Sequence, residues 1–224
     1  MEKLTEAFEM LMSMDKELLQ IIGVTLRMSF FSTLISCLVG MPLGVLLGKG
    51  SFKTIIKLTG TFMGLPPVVA GLIVYMLFSK NGIFGSLGLL FTVEVMVIAQ
   101  CMLIIPVVIN LTHSITSVNA SPLLETAKGL HFSKGKTALL MLTENKSALF
   151  SVILTAFGRS IAELGAVSLV GGNIQWKTRV MTTAIMLETN KGNFSFALAL
   201  GIILLLISLT VNIIASFAVK EDKR

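Results

Sequence analysis

Five blocks of apolar residues, 28–47, 58–78, 90–111, 147–170 and 196–219, are separated by polar runs. A hydrocarbon core about 30 Å thick takes roughly 20 helical residues at about 1.5 Å each, so every block is long enough to cross it. Unpaired backbone groups are too costly in lipid, so each block is predicted to be a helix. The fold class expected is an all-α integral membrane protein with about five transmembrane helices. Residues 4–20 are amphipathic and are expected to lie on the surface or to extend the first span. The first block reads as a span rather than a signal peptide, because the charges before it are mostly acidic and no small-residue cleavage site follows. The chain thus divides into an N-terminal amphipathic segment 1–27, a membrane domain 28–219 with a polar loop at 112–146, and a tail 220–224.

Composition supports this division: 54% of residues are hydrophobic, 13% are charged, and the mean hydropathy is +0.89, far from an ordinary soluble domain. Five spans put the termini on opposite sides. Lys49, Lys53, Lys57, Lys128, Lys134, Lys136, Lys146, Lys220, Lys223 and Arg224 fall on one side; Lys3, Lys16, Lys80, Lys177, Arg179 and Lys191 fall on the other. The richer side is predicted to be cytoplasmic, which places the C-terminus and the 112–146 loop inside and the acidic N-terminus outside. The net charge of +6 is then a topology signal. With no basic groove or aromatic platform, no nucleic-acid partner is expected, and lipid is the surrounding medium.

No enzyme chemistry has a home here. The sequence lacks a GxxxxGK[ST] phosphate loop, a GxSxG elbow and an HExxH metal motif, so no catalytic residue, metal or cofactor is predicted. Cys37 and Cys101 lie inside spans and read as small hydrophobes. His113 and His131 lack zinc-ligand spacing. The thirteen methionines read as gap-fillers between helices.

Local signals mark four places. In the polar loop, Ser121 is placed to cap a helix starting at Pro122, with Leu123, Ala127 and Leu130 on one face and Glu125 in the first turns. Gly129 offers a stop and Ser133 a second start. This reads either as a solvated connection or as a docking helix. Pro66 and Pro67 must bend or break the second span, giving either a structural kink or a path-lining discontinuity. Arg159 and Glu163 are four apart in the fourth span and are expected to share a helical face as a structural or gating pair. Gly171, Gly172 and Asn173 end that span, and the cations Lys177 and Arg179 follow as a solvated face or an attraction for anions.

Glu125-Thr126-Ala127, followed by His131 and then Met141-Leu142-Thr143-Glu144, resembles the EAA loop of type I ABC importer permeases. Thr126, His131, Thr143 and Glu144 depart from that pattern. His131 takes the place of a glycine; it is among the few residues tolerated at positive φ, although Gly129 could provide the turn instead. Gly64-Leu65-Pro66-Pro67-Val68-Val69-Ala70-Gly71-Leu72 with Asn81-Gly82-Ile83-Phe84-Gly85, and Phe157-Gly158-Arg159-Ser160-Ile161-Ala162-Glu163-Leu164-Gly165-Ala166 with Gly171-Gly172-Asn173-Ile174, are similar to segments of the molybdate and tungstate permeases. Together with Thr178–Ile185 and Glu188-Thr189, the likeness covers roughly residue 28 onward and is closest to the tungstate-type branch. It implies a multi-pass subunit of a prokaryotic cell membrane that pairs with a second permease copy. It further implies two cytoplasmic ABC ATPase subunits coupled at Glu125, Thr126, Ala127, Leu130 and His131, and an extracytoplasmic oxyanion-binding protein. Pro66, Pro67, Arg159, Glu163, Gly171, Gly172 and Asn173 become its path or gate candidates. Tungstate is the expected substrate, with molybdate or sulfate as alternatives; a channel is the alternative from another class.

Overall fold

The computed structural model describes residues 16–48, 53–118 and 120–221. Apart from a 3-10 turn at Gly85–Leu87, the regular elements among them are α-helices: α1 (Lys16–Gly48), α2 (Lys53–Met63), α3 (Pro67–Phe78), α4 (Val93–Val118), α5 (Ala120–Gly129), α6 (Lys134–Glu144), α7 (Lys146–Ile161), α8 (Gly165–Gly171), α9 (Met181–Asn190) and α10 (Phe194–Glu221). Among the described residues, α1, α4 and α10 are each long and apolar enough to cross a membrane, and two more spans arise if the bent pairs α2–α3 and α6–α7 each count as one. Residues 16–20 of the amphipathic segment extend the first span; residues 4–15 and the end of the tail lie outside the described residues.

The second block breaks where its prolines demand. Gly64 and Leu65 close the last turn of α2 onto the carbonyls of Thr61 and Phe62. Pro66 is extended, and Pro67 opens α3 at the position where a missing N–H costs nothing. The two helices meet at 97°.

The fourth block differs from expectation. Residues 147–170 are not one helix: α7 ends at Ile161 and the chain restarts as α8 at Gly165. No proline marks this break. The groups it frees are satisfied locally, as lipid requires: Glu163 Oε1 accepts the Ala166 N–H at 3.2 Å, and the Glu163 carbonyl accepts Thr182 Oγ1 at 2.9 Å. At its other end α7 bends by 80° from α6, where buried Asn145 donates Nδ2 to the Met141 carbonyl at 2.8 Å.

The chain forms two compact units. The first contains the stretch ending at Ser32, Pro66–Gln100 and Gly158–Thr210. Its centre is the crossing of α3 and α8, so close that a Cβ on Gly71 would lie 2.7 Å from the Ala166 Cα. Val74, Val95, Met96, Val167, Val170 and Met181 are buried in it. The second unit contains Thr33–Leu65, Cys101–Phe157 and the chain from Val211. In it Gly40, Gly44 and Gly48 of α1 meet Val108, Thr112 and Thr116 of α4 at equally close range. Cys37 packs there with Ile104, Val108, Leu149, Val152 and Ala156, as its reading as a small hydrophobe anticipates.

Candidate functional site

Two broken spans meet in the first unit. A Cβ on Gly165, the first residue of α8, would lie 3.0 Å from Val68 Cγ2 and 3.2 Å from Pro67 Cβ, so the starts of α3 and α8 lie side by side. Short interrupted helices are the best structural pointer to a transport site in a membrane protein, because irregular backbone at membrane depth survives only where it is packed in protein or lines a cavity. Pro66, Pro67 and Glu163 thus come together at one junction. Gly171, Gly172 and Asn173 sit at the other end of α8, roughly 10 Å along its axis at 1.5 Å per residue.

Arg159 and Glu163 do not form the expected pair. The helix ends between them, which removes the four-residue geometry. Glu163 turns to the start of α8, while Arg159 is exposed on the surface of the chain. The residue that ties the break to its surroundings is Ser160. Its hydroxyl donates to Gln100 Oε1 at 2.7 Å and bonds Ser32 Oγ at 2.8 Å, and its carbonyl accepts Gln100 Nε2 at 2.8 Å; all three residues are buried. Sequence reasoning missed Ser32, Gln100, Ser160 and Thr182. A glutamine inside an apolar span was the available signal, because buried polar groups need partners.

At the end of α8, Gly172 is left-handed at φ 67, where a Cβ would also strike the Phe91 ring. The Phe91 N–H donates to the Val170 carbonyl at 3.0 Å. Asn173 follows at φ 51 and reaches the Thr183 carbonyl with Nδ2 at 3.4 Å. Arg179 is buried against Glu17, with Nη1 and Oε1 2.9 Å apart, and the same carboxylate oxygen accepts Gln175 Nε2. Of the two cations of this loop, Lys177 is the exposed one.

The polar loop folds as an elbow in the second unit. Helix α5 already includes Ala120 and Ser121, so Ser121 is not the cap, while Glu125 stands in the second turn, within the first turns expected for it. Pro122 remains within the first four residues, whose N–H groups need no helical partner. The helix stops in a Schellman arrangement: the Phe132 N–H donates to the Ala127 carbonyl at 2.9 Å and the His131 N–H to the Lys128 carbonyl at 3.0 Å. His131 itself takes the left-handed position at φ 53, in the place where glycine is usual. Ser133 then caps α6, accepting the Lys136 N–H.

Leu123, Ala127 and Leu130 do not make a single exposed ridge. Ala127 is buried, Leu123 half-buried and Leu130 exposed, because the apolar side of α5 is used against α6. Glu125, Thr126, Leu130, His131 and Phe132 face outward. A recess of about 350 Å³ lies in the bend, lined by Leu124, Ala127, Lys128, His131, Phe132 and Thr137. Among the described residues no group of three or more His, Cys, Asp or Glu is placed to hold a metal ion.

Residues 38–220 match the family described as binding-protein-dependent transport system inner membrane component. The chain is 36% identical over 99% of its length to the whole of the tungstate uptake system permease protein TupB of Peptoclostridium acidaminophilum. It is 43% identical to TupB of Campylobacter jejuni over 72% of this chain and 68% of that one, and 36% identical to a probable anion ABC transporter permease of Haloferax volcanii over 87% and 88%. With its apolar helices, this is a multi-pass membrane protein and a transport subunit rather than an enzyme. The chain belongs to the binding-protein-dependent transport inner membrane components, the permeases of type I ABC importers.

Proposed function

We propose that the chain is the permease of an importer for a tetrahedral oxyanion, tungstate, and that two copies form the pathway. The observation that carries the substrate is the end-to-end similarity to a permease named for tungstate uptake. Two cytoplasmic ATPases dock on the α5–α6 elbow at Glu125, Thr126, Leu130 and His131, with Ala127 bracing the elbow from within. An extracytoplasmic binding protein delivers the anion to the opposite side. The greater number of Lys and Arg on the side that holds the elbow and the tail supports an elbow and C-terminus facing inward, with the loop after α8 facing outward.

Transport proceeds by alternating access, with ATPase closure moving the elbows and opening the junction of α3 and α8 outward. Arg159, free of Glu163, is the cation available to a passing dianion. Its exposure and lack of a tight cage suit release, since a permease that bound its anion firmly would not discharge it.

Proteoliposomes holding permease, ATPases and binding protein test this reading. Radiolabelled tungstate should enter only with ATP, and excess molybdate should compete more weakly than unlabelled tungstate. Sulfate should not compete. Arg159→Gln should cut uptake by tenfold or more while leaving complex assembly intact. Tungstate equilibration without ATP would establish a channel and end the importer reading; stronger competition by molybdate would reassign the substrate.

A further inference from the structure

The loop after α8 holds one large side chain outward. Trp176, the single tryptophan of the chain, is 58% exposed and stands at φ 63. A bulky residue in this conformation persists only where its surroundings impose it. Here the Ile174 carbonyl accepts the N–H groups of Lys177, Thr178 and Arg179 at 3.2, 2.9 and 3.0 Å. The Thr178 hydroxyl donates to the Gly171 carbonyl and accepts the Ile174 N–H. Arg179 is pinned to Glu17. The loop is therefore ordered before any partner arrives, which removes part of the entropic cost of association.

We infer that Trp176 is the anchor on which the extracytoplasmic binding protein seats, entering an apolar pocket of that partner whose rim carries carboxylates opposite exposed Lys177. This rests on the importer reading above. A rigid, exposed aromatic beside a cation has the make-up of an interface hot spot. A tryptophan that only marks the lipid headgroup level needs the right depth, and gains nothing from a strained, internally tied backbone. The loop also leads directly into α9, whose Thr182 holds the Glu163 carbonyl at the break. A partner seated on Trp176 bears on the segment that sets the α7–α8 discontinuity.

The test uses the permease–ATPase complex in phosphatidylcholine nanodiscs and the tungstate-loaded binding protein, with affinity read by surface plasmon resonance. Trp176→Ala should raise Kd by about 30-fold or more, mainly through faster dissociation, without lowering the thermal midpoint of the complex. Trp176→Phe should retain most of the affinity, and Lys177→Ala should slow association and flatten its salt dependence. Trp176 emission, taken as the difference between wild type and Trp176→Phe, should shift to the blue when the binding protein is added. Equal Kd for wild type and Trp176→Ala, together with quenching of that emission by brominated phosphatidylcholine, would make Trp176 a lipid anchor and overturn the inference while leaving the importer intact. A wild type that neither binds the partner nor imports tungstate would overturn the importer reading itself.

Discussion

His131 carries the elbow on one dihedral angle. At φ 53 a residue with a side chain gives up roughly 1–2 kcal/mol relative to ordinary helix geometry, yet the Schellman bonds from His131 and Phe132 need that angle. His131→Gly should keep or raise the thermal midpoint and preserve ATPase binding. His131→Val, β-branched and badly suited to positive φ, should lose about 1–2 kcal/mol by denaturant unfolding and weaken ATPase binding in parallel. Glu188 offers a second residue-level test. Burial pushes its carboxyl upward, but hydrogen bonds from Lys191 at 2.8 Å and Asn193 at 2.9 Å, with the charges of Lys191 and Arg179, outweigh this and leave it below the ordinary glutamate range. A carboxylate depressed in the fold adds stability above its unfolded value of about 4.3, and that contribution vanishes as pH falls through the lower, folded value. The difference in thermal midpoint between wild type and Glu188→Gln should be constant from pH 7 to pH 5 and close below about pH 4.3.

Among the elements, the crossing of α3 and α8 leaves no room for a side chain at Gly71. Gly71→Ala would press a methyl group to 2.7 Å from backbone at Ala166, and the helices would have to part at a cost of about 1–3 kcal/mol. Gly201→Ala in α10, where nothing lies within 4 Å, should be neutral; thermal midpoints of the two variants in one lipid make the comparison. Element by element, the sequence was readable where a single residue type dictates backbone. Pro66-Pro67 announced a break, and the chain breaks there. Ser133 announced a helix start, and it caps α6. The break at 162–164 was hidden because no proline causes it: it depends on Glu163 and Thr182 meeting across nineteen positions, a pairing that periodicity along the chain cannot express. For the same reason the bonds that join Ser32, Gln100 and Ser160 cannot be read along the chain.

For the whole molecule, the membrane character and the number of apolar blocks followed from composition and length, whereas the apparent ridge of the elbow did not survive packing. Ala127 is buried and Leu130 exposed. Leu130→Asp should therefore weaken ATPase binding at least tenfold in a pull-down titration while the permease keeps its thermal midpoint, as expected for an interface anchor outside the core. Three closely packed glycines of α1 have a further consequence for how such a machine can move. Gly40, Gly44 and Gly48 mesh with Val108, Thr112 and Thr116 like a rack whose teeth repeat every four residues, about 6 Å. A piston stroke of α1 along α4 would have to jump a full tooth. Smaller displacements must come from tilting the meshed helices together, with the slack taken up elsewhere in the chain.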